Sequence, residues 1–155
     1  MGSARWEDYT MKTLLEYFLK YFDVLYLDPR YRITNSTTTG VASNNASLVL
    51  TGPVLSWELT NDKGQFLLSV APTALATSDN WFSIALIKQY LNSEQEIEYP
   101  SAADEIAWFR ENSSRVEELF SKVSEIEAIC DTLKALRRAN ANKYWAQWRE
   151  QQGLS

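Results

Sequence analysis

The sequence contains no histidine and a single cysteine, Cys130. Without histidine there is no Ser-His-Asp or Cys-His machinery and no imidazole to ligate a metal. A lone cysteine makes neither an internal disulfide nor a thiolate zinc site. Glycine stands only at positions 2, 40, 52, 64 and 153, too sparsely for a phosphate cradle, and neither GxxxxGK[ST] nor GxGxxG occurs. The longest apolar run, Phe82 to Ile87, is interrupted by Ser83 and falls well short of the roughly 18–20 residues of a membrane span. The opening MGSARWEDYT lacks the basic and apolar regions of a secretory leader, and Trp6 occupies a position where a myristoylation signal needs Ser or Thr. From these absences the expectation is a cytoplasmic, non-enzymatic chain with no metal, no cofactor and no membrane segment.

What the chain does have is apolar and aromatic bulk. Of 155 residues, 45% are hydrophobic, which suits one domain with a core that needs no staples. Residues 1–10 read as an N-terminal extension, with Met11 as an alternative start. The spacing of Leu14, Leu15, Phe18 and Phe22 predicts an amphipathic helix over 10–27, capped by Thr10 and stopped at Asp28-Pro29. Period-two alternation then predicts an antiparallel meander of three or four strands, 30–35, 46–51, 54–60 and 65–71. A Ser/Thr/Asn-rich loop, 35–45, follows the first of them, and Asn61-Asp62-Lys63-Gly64 makes a hairpin turn. On the third strand Leu55, Trp57 and Leu59 share the face expected to meet the core.

Helical periodicity returns with Trp81, Ile84, Ala85, Ile87, Lys88 and Leu91, in a short helix capped by Ser78 or Asp79. An acidic linker, 93–98, leads to Tyr99-Pro100. A long helical region, 101–151, opens at Ser101 with Asp104 completing a loose capping box. Breaks are expected at Asn112-Ser113-Ser114 and near Asn140–Asn142. The fold class that follows is α+β: an N-terminal helix, the meander, a short helix and a C-terminal helical pair or long helix.

Charge divides the chain. Between Glu94 and Asp131 the local net is −8; from Thr132 onward it is +4, within a total of −5. The acidic stretch suits either an electronegative docking face for a basic protein or a solvated helix face with pairs Glu111–Arg115 and Glu118–Lys122. The basic stretch, Lys134, Arg137, Arg138, Lys143 and Arg149, is interleaved with Tyr144, Trp145 and Trp148. Such a pattern allows weak single-stranded nucleic-acid binding, though cations near a helix C-terminus are its ordinary explanation. The carboxylate pairs Asp104–Glu105, Glu117–Glu118 and Glu125–Glu127 are too close in sequence to face each other on a helix. Cys130, among Ile126, Ile129 and Leu133, reads as a small buried hydrophobe.

Six tryptophans and eight tyrosines are the compositional surplus. Trp57 and Trp81 fit core faces. Trp6, Trp108, Trp145 and Trp148 do not all fit one core, so at least one exposed aromatic anchor is expected. The segments LSWELTNDKGQFLLSVAP (55–72) and NWFSIALIKQYL (80–91), after an amphipathic helix, resemble small bacterial immunity-type proteins over about residues 11–92. The resemblance implies a cytoplasmic, acidic inhibitor that binds one toxin domain tightly. The partner-binding residues expected on that reading are Glu94, Glu96, Glu98, Tyr99, Trp108, Glu117 and Glu118. The helical region from Ser101 lies outside the resemblance. It supports a second reading, an accessory subunit of a larger bacterial complex docking through Tyr144, Trp145 and Trp148.

Overall fold

A computed structural model describes residues 6–38 and 45–153, with side chains of the first helix described from Thr10. The expected extension (1–10), the Trp6 side chain and most of the Ser/Thr/Asn-rich loop lie outside what is described. The architecture is α+β. Helices α1 (Trp6–Tyr21) and α2 (Asp23–Leu27) precede strands β1 (Arg32–Thr38), β2 (Asn45–Thr51), β3 (Leu55–Asp62), β4 (Gln65–Pro72) and β5 (Phe82–Ser83). Helices α3 (Ile84–Leu91), α4 (Ala102–Leu119) and α5 (Ile126–Gln151) complete it. The sheet is wholly antiparallel in the order β1-β2-β3-β4-β5.

Side-chain alternation builds the core rung by rung. In register, Leu50, Trp57, Val70 and Phe82 form one row across β2 to β5, and Leu48, Leu59 and Leu68 the next. All are buried, together with the anticipated Leu55. Leu14, Phe18 and Phe22 close over these rows, and Phe109 of α4 meets both Phe22 and Trp57 edge-on at 5.0 Å. The opposite face carries Val49, Glu58 and Ser69, which stay half-exposed. Strand β1 is an exposed edge of mostly polar residues with a register shift at Thr34, features that discourage edge-to-edge pairing. The β3–β4 connection is a two-residue turn with Lys63 at φ 53° and Gly64 at φ 90°, the left-handed pair that a type I′ hairpin requires.

Several boundaries differ from the sequence expectations, each for a physical reason. The first helix begins before Thr10 and breaks at Phe22, whose ring is drawn into the core. The short helix starts only at Ile84, with Ser83 as its cap accepting from the Leu86 N–H at 3.2 Å. Residues 78–80 form a separate 3-10 turn, and Phe82–Ser83 pairs with β4 instead. Asn112-Ser113-Ser114 does not interrupt α4, because Asn112 Nδ2 donates to the Trp108 carbonyl at 3.0 Å and stays within the helical pattern. The true break is at Phe120, whose buried ring turns the chain toward α5. Asn140–Asn142 lies inside the unbroken 26-residue α5. Val123 is exposed in the turn that connects α4 to α5. Trp81 is half-buried, unlike the fully buried Trp57.

The capping expectation at α4 holds: Ser101 Oγ accepts from the Asp104 N–H at 3.2 Å. Ser101→Ala should destabilise the chain by about 1 kcal/mol, and Ser101→Gly by only a few tenths, in urea unfolding. Equal losses in the two variants would show that the cap contributes little.

Candidate functional site: the free end of α5

Helix α5 is about 39 Å long, and its two halves have different surroundings. In the first half Ile126, Cys130 and Leu133 are buried, and burial pushes the Cys130 thiol up, as expected for an inert hydrophobe. The middle is pinned polar group by polar group. Lys134 pairs with Asp79 at 3.2 Å. Arg137 donates to the carbonyls of Trp81 (3.1 Å) and Asp79 (2.9 Å) and lies over the Phe82 ring. Asn140 and the buried Gln89 of α3 exchange amide hydrogen bonds at 3.2 and 2.7 Å. The last tie is the ion pair of Lys143 with Glu96. Every residue from Ala141 to Gly153 is exposed.

That exposed stretch carries the aromatic cluster. Tyr144, Trp145 and Trp148 are 60%, 52% and 41% exposed, with ring centroids 5.3 Å (Tyr144–Trp145) and 5.9 Å (Trp145–Trp148) apart, both edge-on. Beside it the 93–100 segment returns along α5 and encloses a groove of about 560 Å³. Its walls include Glu96, Ile97, Tyr99, Ala141, Tyr144 and Trp145, over Leu86. Tyr99 is 77% exposed and forms the far wall. The structure thus brings Glu96, Tyr99, Tyr144 and Trp145 together from two segments of the chain, with Trp148 at the margin.

The acidic expectations fare differently. Glu94 and Glu98 both bind Lys88, each at 3.3 Å. Glu117 binds Arg30 at 2.6 Å, within a cluster that includes Asp28. Only Glu118 of that set is exposed with no side-chain partner among the described residues. The supposed pairs Glu111–Arg115 and Glu118–Lys122 do not form: Arg115 donates to Asn112 and Asn92, and Lys122 lies 4.0 Å from Glu125. Trp108 is half-buried against the core. It lines a separate hollow of about 350 Å³ with Ile84, Lys88 and Glu98. Four of these five acids, Glu94, Glu96, Glu98 and Glu117, therefore spend their charge on the chain's own cations.

Glu105, set aside on spacing as one half of the Asp104–Glu105 pair, is the buried acid of the chain's described residues. It is 9% exposed, lines a hollow of about 540 Å³ under the β3–β4 turn, and accepts a hydrogen bond from the Leu68 N–H. Its Oε1 and the Tyr17 hydroxyl are both buried without a hydrogen-bond partner. Burial raises the Glu105 carboxyl to about 7. Burial, followed by the nearby Glu105 charge, raises Tyr17 to about 12.

Among the described residues no group of three or more acids and cysteines is placed to hold a metal ion. No helix among the described residues is long and apolar enough to cross a membrane. Comparison with protein-family models, characterised proteins and solved structures finds no match.

Proposed function

We propose that this chain is a non-enzymatic protein-binding module that docks a protein partner through the free end of α5, as an accessory subunit does in a larger assembly. One observation carries this: three large aromatic side chains stand exposed together on a helix that extends past its last support, next to an apolar groove. Isolated exposed apolar residues are ordinary, whereas clustered aromatics bury large area at little rotamer cost when a partner arrives. Nucleic-acid binding draws less support. Of five cations in the basic stretch, Lys134, Arg137 and Lys143 are engaged within the chain.

A toxin-neutralising role rests on the resemblance over 11–92 and on an acidic face. That face is weaker support, because Glu94, Glu96, Glu98 and Glu117 are paired internally.

Capture from an extract of the cells that encode the chain separates the two. The Tyr144→Ala/Trp145→Ala/Trp148→Ala variant should lose a specifically retained protein at least tenfold, with its far-UV circular dichroism unchanged. The Glu117→Gln/Glu118→Gln variant should retain it. The reverse pattern would move the interface to the acidic face, and equal retention by both variants would end the α5 reading.

A further inference from the structure

The docking reading above leaves the occupant unspecified, and this inference rests on it. We propose that the free end of α5 receives an amphipathic helix of a partner protein whose apolar stripe is flanked by carboxylates, with Arg138 and Arg149 as the groups that read its charge.

The first ground is continuity of the apolar stripe. Successive helical residues turn about 100°, so Tyr144 and Trp148 fall in the same sector as the buried Ile126, Cys130 and Leu133. Ala141 and Trp145 widen that sector on one side. The core-facing stripe of α5 therefore runs on for two further turns beyond the body that it packs against. Another helix is the natural cover for such a stripe, since ridges of i, i+3 and i+4 side chains interlock with their like. The groove walled by Ile97 and Tyr99 offers a second wall for the same visitor.

The second ground is where the cations stand. Arg138 and Arg149 share one flank of the stripe with Trp145, seven residues after the one and four before the other. Both are exposed, and neither has an ion-pair or hydrogen-bond partner among the described residues. The opposite flank is Asn140, Gln147 and Gln151, with Lys143 already held by Glu96. Glu150 points to the far side of the helix. The two free guanidinium groups are spaced about 16 Å along the axis. A partner helix with carboxylates at a matching separation would satisfy both with charge-assisted bonds.

The same charges argue against a second copy. Antiparallel pairing centred between Lys143 and Tyr144 brings the two arginine flanks together, Arg138 against Arg149, and opposes like charges, which costs affinity. Parallel pairing sets the arginine flank against the uncharged Asn140 and Gln147 flank of the other copy and gives the guanidinium groups no carboxylate.

The test uses two synthetic 21-residue helical peptides with one shared Leu/Ala stripe. One is flanked by Glu and the other by Lys, and each is titrated against the full chain by tryptophan fluorescence and calorimetry at low salt. A single-stranded RNA oligonucleotide forms a third arm, and sedimentation reports self-association. The Glu peptide should bind at least tenfold more tightly than the Lys peptide and weaken as salt rises. Arg138→Glu/Arg149→Glu, both on an exposed face, should invert the preference without changing the circular dichroism. Absence of Glu-peptide binding, equal affinity for both peptides, tighter binding of the RNA, or dimerisation through the aromatic end would each overturn the proposal. Docking itself fails separately, if the triple aromatic variant still retains the captured protein.

Discussion

Phe109→Ala should cost about 3–5 kcal/mol of folding free energy, the range for deleting a large buried aromatic side chain. Phe109 is fully enclosed, and its ring sits edge-on between Phe22 of the α1–α2 corner and Trp57 at the centre of β3. It joins three segments that are remote in sequence, so its removal leaves a cavity that no single neighbour can collapse to fill. The aromatic pair terms, about 0.5–1.5 kcal/mol each, are lost along with the buried area. The melting temperature should fall by about 10 °C in a chain of this size. Phe109→Leu, which keeps most of the volume, should lose less than half as much. By contrast, removal of residues 144–155 should leave the melting temperature nearly unchanged, since Tyr144, Trp145 and Trp148 are exposed and stand outside the buried core cluster. A fall after truncation comparable to that of Phe109→Ala would show that the end of α5 belongs to the core.

That contrast between core and free end explains which features were legible in the sequence. The α+β class and four of five strands were, because β2, β3 and β4 alternate with period two and end at Gly52-Pro53 or Lys63-Gly64. Strand β5 was not: two residues carry no period, and its pairing of Phe82 with Val70 is a tertiary event. The breaks near Asn112 and Asn140 were expected from residues that favour turns, yet Asn112 bonds back to Trp108 and Asn140 to Gln89. Both amides found partners that kept them helical. The break at Phe120 has no punctuating residue at all; burial of the ring decides it.

The candidate site was half legible in the same sense. The aromatic surplus pointed to Tyr144, Trp145 and Trp148. That the acids were already paired was invisible, because Glu96 meets Lys143 from 47 residues away and Glu117 meets Arg30 from 87. Net local charge counts ions without their partners.

Glu105→Gln should make the chain more stable at pH 8, by about 2–3 kcal/mol, and should remove most of a slope that the parent shows between pH 4.5 and 7. The carboxyl lies in the first turn of α4 and reaches the edge of β4 where β5, two residues long, has ended. There it accepts from the otherwise uncovered Leu68 N–H. One hydrogen bond is too little to offset the burial of its charge, and Oε1 finds no donor. The group therefore titrates at about 7 in the folded chain instead of near 4.5. Between those values the native state holds a proton that the unfolded state has released. Stability then falls as pH rises through this window and levels off above it. The shift corresponds to about 3 kcal/mol if all of it is felt. Tyr17, which faces the carboxyl from α1, stays neutral throughout the window, its hydroxyl having been pushed up to about 12. The depressed carboxyls of Asp28 and Asp79 titrate below it and do not contribute to the slope, whereas burial also pushes the Glu58 carboxyl up, so a residual fall from that group is common to parent and variant. Glutamine keeps an acceptor for the Leu68 N–H and adds a donor toward the Tyr17 hydroxyl without introducing charge. Urea unfolding of both proteins at pH 4.5, 6 and 8 decides the matter: the curves should nearly coincide at the lowest pH and separate steadily above it. Parallel pH profiles for parent and variant would mean that Glu105 is ionised in the folded chain at no cost.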